Sequence, residues 1–306
     1  MTTAPARPAE LDPPAAGEFS LVFLPDTQIY SANYPALFTA QTQWIADNQA
    51  RYNIQAVLHV GDVVDGNDPR QWANADAAIR ILDAVEIPYL IAIGNHDYDS
   101  IGDAERRVTG FNATFPPARY TAHAWWRGGF YEAGHSENAY CRLTIAGAEY
   151  LLLSLEFGPR PAVVAWANAV LERCHDHWAV LCTHSFLYDD GARVGPGAAH
   201  NPKIYPLGAT AADGEDLWRQ LVSRHANLHW VQSGHHIGGC TAYRADAGRD
   251  GTIVHQVFAN WQLHTRGGDG RLRLVTLGSG KARVQTYSPA LGQAAVEPQD
   301  KFTVTL

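Results

Sequence analysis

Apolar residues in this chain fall into short unbroken runs that alternate with stretches of helical spacing. Phe19-Ser20-Leu21-Val22-Phe23-Leu24 has strand length and stops at Pro25, where the ladder loses a donor and Asp26, Thr27 and Gln28 follow. Over residues 35–52, Leu37, Phe38, Trp44 and Ile45 recur at helical spacing and predict a helix with one apolar face. Residues 54–60 predict the next strand, closed by Gly61-Asp62 and followed by Asp65-Gly66. Helical spacing returns over residues 69–85 through Trp72, Ala75, Ile79 and Leu82. Leu90-Ile91-Ala92-Ile93 then predicts a strand buried on both faces, with a sharp turn at Gly94 that brings out Asn95, His96 and Asp97 together. The order strand, helix, strand, helix, strand fits right-handed parallel crossovers and places Asp26, Asp62 and Asn95 along one edge of one sheet.

Residues 98–136, with Trp125, Trp126, several glycines and two prolines, predict a long irregular loop that walls the sheet edge. Two strand runs, 138–145 and 149–155, flank Ala146-Gly147-Ala148 in a hairpin-like pattern. A helix is predicted over 161–173, and a buried strand over 178–182 that ends at Thr183-His184. Residues 188–214 form a loop too long to be only a connection, expected to cover the substrate. A helix over 215–225 leads to a strand over 228–232 that ends at Ser233-Gly234-His235-His236. Strands are predicted at 252–259, 272–277, 282–287 and 302–306, so a chain that opens as β-α-β closes mostly as β.

Composition narrows the class without dividing the chain. The 306 residues are 46% hydrophobic and 18% charged, values of a globular protein large enough to bury a substantial core. A net charge of -8 argues against general nucleic-acid binding, and no apolar run is long enough to span a bilayer, so no membrane partner is expected. Residues 1–17 are rich in Ala and Pro and lack a signal peptide's apolar centre; they are expected to be a flexible arm, or the remainder left by a removed signal, ahead of one domain over 18–306. Four cysteines without a CxxC pair favour a reducing compartment, and the expected location is cytoplasmic.

The chemistry lies at the strand ends. Asp26, Asp62, Asn95, His184 and His235 each follow a predicted strand and supply oxygen or imidazole donors, a set suited to divalent Mn, Fe, Zn or Mg. Asp62 lies between the other two ligand-bearing tips of its sheet and has two carboxylate oxygens, so it is placed to bridge two cations. Two bridged metals about 3.5–4 Å apart clamp a phosphoryl group and acidify a water together. By contrast, Cys174-His175-Asp176-His177 crowds its donors at a helix end without the spacing of a closed zinc site.

The ordered set Asp26-Thr27-Gln28, Gly61-Asp62-Val63-Val64-Asp65, Gly94-Asn95-His96-Asp97, Thr183-His184 and Gly234-His235 resembles the calcineurin-like metallophosphoesterase superfamily. Three features resemble a branch that opens with DTQ in place of DxH: Asp26-Thr27-Gln28 itself, Leu155-Glu156-Phe157-Gly158-Pro159-Arg160, and Ala259-Asn260-Trp261-Gln262 followed by Gly267-Gly268-Asp269-Gly270. The resemblance implies an α/β fold, a four-layer αββα sandwich of two mixed β-sheets flanked by helices. It implies two divalent metal ions, one held by Asp26 and Asp62, with Gln28 either a ligand or substrate contact there or a hydrogen-bonding support, the other by Asp62, Asn95, His184 and His235. It further implies attack by metal-bound hydroxide on a small-molecule phosphoester, His96 as proton donor to the leaving oxygen, and Asp97 as its orienting partner.

Two positions depart from the superfamily pattern. Gln28 stands where histidine is usual, and Ile237 stands where the second histidine of GHxH would be. His236, Glu156 or Gln262 would have to fill the gap, which leaves one cation position weak. Asp65 is not tyrosine, unlike the purple acid phosphatases, and Ile93 is not arginine, unlike the Ser/Thr protein phosphatases. The expected function is metal-dependent phosphoester hydrolysis. Its alternatives are phosphodiesterase or nuclease-type activity on nucleotides, and a protein-binding scaffold with a decayed metal site. Arg160 is a candidate for a phosphate oxygen or for a loop cap, and Trp125, Trp126 and Trp261 for stacking on a leaving group or for the core.

Overall fold

A computed structural model describes residues 10–306. The chain begins with β1 (Phe19–Leu24), then α1 (Gln28–Asn33), α2 (Pro35–Asn48), β2 (Ile54–His59), α3 (Pro69–Ala84) and β3 (Tyr89–Ile91). A tight turn over Asn95–Asp97 follows, then α4 (Thr109–Thr114), α5 (Pro117–Thr121), β4 (Gly128–Phe130), β5 (Ala139–Ile145), β6 (Ala148–Leu155), α6 (Pro161–Arg173) and β7 (Trp178–Thr183). The remainder is α7 (Gly214–Gln220), β8 (Leu228–Ser233), β9 (Thr241–Ala247), β10 (Ile253–Ala259), β11 (Leu272–Gly278), β12 (Lys281–Ser288), β13 (Gln293–Ala294) and β14 (Lys301–Thr305).

These strands form two seven-stranded mixed sheets. The first runs β13-β12-β11-β1-β2-β3 with β14 also on β12, and the second runs β4-β5-β6-β7-β8-β10-β9. β1, β2 and β3 are parallel, and β11 joins β1 antiparallel, so the last strands of the chain close the sheet begun by the first. In the second sheet β6, β7, β8 and β10 are parallel. Alternating side chains divide each strand between two layers. Leu152, Val180, Cys182 and Trp230 share a core with the first sheet and with Phe38, Ile45, Trp72 and Ile79 of its helices. Leu151, Leu153, Ala179, Leu181 and Val231 face outward onto Val163, Ala167 and Val170 of α6 and Leu217 of α7. The result is the expected αββα sandwich.

Local signals account for the helix starts. Asp68 caps α3 by accepting from Arg70 N, with Pro69 at the first position, and Asp213 caps α7 by accepting from Asp216 N. The helix expected over 215–225 is broken, because Leu221 leaves helical geometry at φ -133° and ψ -69° before a short turn over Val222–Arg224. The loop expected over 98–136 contains α4, α5 and β4, and the half-buried Trp125 and Trp126 pack there with Phe130 against the core residues Tyr89 and Tyr120. β9 escaped the sequence reading because it is an edge strand with a half-exposed pattern.

Of the expected arm, residues 1–9 lie outside the described residues, and residues 10–17 make contacts with the last strands. Leu11 is buried, Lys301 pairs with Asp12 at 2.8 Å, and Arg283 donates to the Pro13 carbonyl at 3.0 Å. Apolar burial and two cations on the last strands tie this segment down. Among the described residues no helix is long and apolar enough to cross a membrane.

The β5–β6 hairpin turns on Ala146 and Gly147, both left-handed at φ 51° and 84°. That geometry suits Asn-Gly and strains alanine, whose Cβ crowds the carbonyl there. Ala146→Asn should raise the denaturant midpoint by the equivalent of roughly 0.5–1 kcal/mol. A Cβ on Gly147 meets nothing within 4 Å, so Gly147→Ala should lower the midpoint by about 1 kcal/mol through backbone strain alone. Opposite signs in the two variants, read by equilibrium unfolding, are the expected result.

Candidate metal centre

The edge where the two sheets meet collects residues from five strand ends. Asp26 leaves β1, Asp62 leaves β2, Asn95 leaves β3, His184 leaves β7 and His235 leaves β8, and all five are buried. Among the described residues, the one group of three His, Cys, Asp or Glu side chains placed to hold a cation is Asp62, His184 and His235, with donor atoms within 4.8 Å of one another. The His184 Nδ1 lies 2.9 Å from the Val60 carbonyl, which can only accept, so that nitrogen carries the proton. The opposite nitrogen, Nε2, then faces Asn95 Oδ1 at 3.2 Å and Asp62 Oδ1 at 3.3 Å. His235 mirrors this arrangement: its Nε2 donates to the His200 carbonyl at 2.9 Å and leaves Nδ1 with the lone pair.

Three glycines permit the approach. A Cβ on Gly94 would lie 2.0 Å from Asp62 Oδ1, one on Gly234 would lie 2.1 Å from Asp26 Oδ1, and one on Gly61 would lie 2.5 Å from Gly94 N. Asp62 itself is left-handed at φ 51° and accepts the His96 backbone N–H at 3.0 Å on Oδ1. Asp26 accepts the His235 backbone N–H at 3.0 Å and Asn260 Nδ2 at 2.8 Å.

The electrostatics describe a site short of positive charge. Burial, reinforced by Asp62, pushes Asp26 up to about 8, and His184 opposes the rise. Burial is the largest single influence on Asp62 and raises it, yet the charge and hydrogen bond of His184, with His96 and His235 behind them, together hold that carboxyl below the usual range. His184 is raised to about 9 because Asp62 and Asp26 overcome the burial that would deprotonate it. His235 is driven well below its ordinary value, first by burial and then by His184. Below the cluster, His59 is neutral, pushed down to about 3 by burial and by His184, and its Nε2 lies 2.9 Å from Thr27 Oγ1. Crowded acid and imidazole donors with too little cationic charge fit a divalent cation.

Several expected roles fall differently. Gln28 reaches Asp65 Oδ1 through Nε2 at 3.3 Å, while its Oε1 is buried without a partner, the atom a cation would take. Asp97 does not orient His96. Its carboxylate accepts from Val63 N at 2.8 Å, Val64 N at 3.1 Å and Gly94 N at 2.8 Å, tying the second motif to the third. Asp65 is the residue beside the half-buried His96: the ring Nδ1 lies 2.7 Å from its carbonyl and 3.7 Å from its carboxylate. These contacts, with Asp62, raise His96 against the burial that lowers it.

Glu156 is removed as a substitute for the missing histidine, because Arg106, Arg160 and Asn138 occupy both its oxygens at 2.9–3.0 Å. The same contacts commit Arg160 to that pair. Ile237 is exposed, whereas His236 Nδ1 and Gln262 Oε1 are buried without partners. His177 pairs with Asp176 at 2.7 Å, and the 174–177 cluster forms no three-donor group. Trp261 is buried beneath the guanidinium of Arg273. Sequence reasoning gave Asn260 no role; it stands one residue beyond β10, in the same strand-end position as the other donors. The loop over 188–214 does reach the centre, through the His200 carbonyl, the Tyr205 ring at 5.9 Å from His235 and the Tyr188 ring at 4.1 Å from His236.

A sequence model of the calcineurin-like phosphoesterases matches residues 19–237. The uncharacterized protein YvnB of Bacillus subtilis is 34% identical over 284 residues, 90% of this chain and 20% of that protein, so the chain spans about a fifth of that relative's length. The calcineurin-like phosphoesterase YfkN of Bacillus subtilis covers 94% of this chain and 90% of its own at 13% identity, with a TM-score of 0.45. The sulfate thiohydrolase SoxB of Thermus thermophilus covers 93% and 59% at 11% identity, with a TM-score of 0.49. At those scores neither structure carries a functional argument.

Asp97 and Asp65 are two acids of one neighbourhood with different duties. Asp97→Ala leaves three buried N–H groups without an acceptor and should lower stability by at least ~3 kcal/mol. Asp65→Ala removes an exposed carboxylate and should lower it by less than about 1 kcal/mol. Thermal unfolding of the two variants separates them, and equal midpoints would overturn the assignment.

Proposed function

The chain belongs to the calcineurin-like phosphoesterase family, and on that premise we propose that it is a metal-dependent hydrolase of small-molecule phosphoesters built around Asp62. The observation that carries this reading is the convergence of Asp62, His184 and His235 donors within 4.8 Å, with Asn95 Oδ1 against His184. We assign Asp62, Asn95, His184 and His235 to one cation. Asp26, Gln28 and Asp62 take a second, weaker one, with His236 Nδ1 or Gln262 Oε1 completing it. Divalent cations bound there, Mn, Fe, Zn or Mg, supply Lewis acidity that neutralises phosphoryl charge and yields a nucleophile from water near neutral pH.

The chain's own residues orient and move protons. The Val60 carbonyl holds His184 Nδ1 and the His200 carbonyl holds His235 Nε2, so each ring turns its other nitrogen to the cation, and His184 would give up its second proton as the cation binds. Asp97 holds the two backbone turns on which Asp62 and Asn95 are carried. His96 is anchored at both ends, its backbone N–H on Asp62 and its Nδ1 on the Asp65 carbonyl. Its free Nε2 is the group we assign to protonate the departing oxygen.

His96→Ala should leave metal content unchanged and lower kcat/KM by roughly 10²–10³ for alkyl leaving groups, with a smaller loss for 4-nitrophenyl esters. Equal losses across leaving groups would remove the proton-donor role. Aryl phosphomonoesters and phosphodiesters tested side by side decide between the two ester classes. Manganese at a hundredfold excess over its dissociation constant should stabilise the protein by about 2.7 kcal/mol, reversibly on chelation. Asp62→Asn should abolish that stabilisation and empty at least one cation position by elemental analysis.

A further inference from the structure

A cavity of about 840 Å³ lies between the start of β9, the loop that follows β10 and the chain that runs from β13 to β14. Its volume is that of a small-molecule site. Cys240 and His264 both line it, and the Cys240 Sγ lies 2.6 Å from His264 Nε2. The phosphoester chemistry uses neither side chain.

Main-chain bonds hold the pair from both sides. The Asp189 carboxylate accepts the Gly239 N–H, and the Cys240 carbonyl accepts the Asn260 N–H at 2.8 Å. On the other side, the His264 N–H donates to the Trp261 carbonyl at 2.8 Å, and the His264 carbonyl accepts the Gly267 N–H at 2.9 Å. Two residues 24 positions apart are thus fixed as one thiol–imidazole pair.

No other cysteine is placed in this way. Cys141, Cys174 and Cys182 are buried, whereas Cys240 is half-buried. Burial, followed by the charge of Asp300, raises the Cys240 thiol above its ordinary value, and Arg271 opposes the rise. Such a thiol is a poor nucleophile near neutral pH unless a base takes its proton, and the imidazole nitrogen beside it is that base. A cation would need a third donor, and among the described residues no Cys, His, Asp or Glu completes the pair. The lining carries both signs, Arg271 with Glu297 and Asp300, so it is the sulfur rather than a net charge that defines the ligand.

We propose that Cys240 is a modification site for low-molecular-weight disulfides, with His264 as its base and the cavity as the seat of the disulfide's organic group. His264 Nε2 takes the thiol proton, and the Cys240 sulfur attacks one sulfur of the disulfide. The S–S bond of the reagent breaks as the new one forms, and the departing thiolate takes the proton from the imidazolium. One thiol and one disulfide are consumed and one of each is formed, so no further oxidant is needed.

The test treats the folded, reduced chain with bis(hydroxyethyl) disulfide at neutral pH and follows its mass. One hydroxyethylthio group per chain should be gained, mapped to Cys240 by peptide mass and released by dithiothreitol. The other three cysteines should react only after unfolding, and Cys240→Ser should abolish the gain. His264→Ala should slow the reaction about fivefold, and added imidazole should restore part of the rate, which a merely structural residue would not allow. Ala295→Trp, which fills the cavity, should slow the disulfide more than it slows alkylation by iodoacetamide. No gain in the folded chain, a gain at another cysteine, an unchanged rate or no rescue in His264→Ala, or equal slowing of both reagents in Ala295→Trp overturns the proposal.

Discussion

Three carboxylates, Asp26, Asp62 and Asp97, are withdrawn from water within one network, and the shape of the whole sheet edge follows from how their charge is met. An isolated buried carboxylate costs several kcal/mol, so each needs close donors. Backbone N–H groups are the nearest supply. Those of Val63, Val64 and Gly94 serve Asp97, that of His96 serves Asp62, and that of His235 serves Asp26. Bringing main chain that close to a carboxylate leaves no space for Cβ atoms at Gly94 and Gly234, and it forces Asp62 and His235 into left-handed backbone. The glycines and the strained residues are therefore two consequences of one electrostatic demand.

The same demand joins the two sheets. Asp26, Asp62, Asn95 and Asp97 come from the first sheet, and His184, His235 and Asn260 come from the second. The His184 Nδ1 on the Val60 carbonyl, the Cys182 thiol on the His59 carbonyl and Asn260 Nδ2 on Asp26 are all bonds across that seam. A cation held by donors from both sides would reinforce the same junction, so cation binding and stability are coupled.

Much of this was legible in the sequence, because a buried strand is an unbroken apolar run and its polar end stands out against it. Asp26, Asp62, Asn95, His184 and His235 were found that way, and the structure brings them to one place. Contacts that depend on side-chain direction inside a tight turn were not legible. Asp97 and His96 are adjacent in sequence, yet the turn over Asn95–Asp97 sends one carboxylate back to Val63 and Val64 and leaves the ring to Asp65. Glu156 looked free because two of its three partners, Asn138 and Arg106, lie 18 and 50 residues earlier in the chain. Residues 10–17 read as an arm because Ala and Pro carry no period; their attachment comes from one leucine and from cations on strands near the other end of the chain.

Exposure divides the histidines by the chemistry each can perform. His59, His184 and His235 are buried, and each has a ring nitrogen set by a protein atom, Thr27 Oγ1 for the first and a backbone carbonyl for the other two. A ring so enclosed and held at one nitrogen is better suited to a ligand or a support than to an acid. His96 is held as firmly at Nδ1 but is half-buried, so its ring keeps contact with solvent. A proton donor must be recharged after each turnover, and water is the available source. Among these four rings, that requirement selects His96 on access alone, independently of any motif.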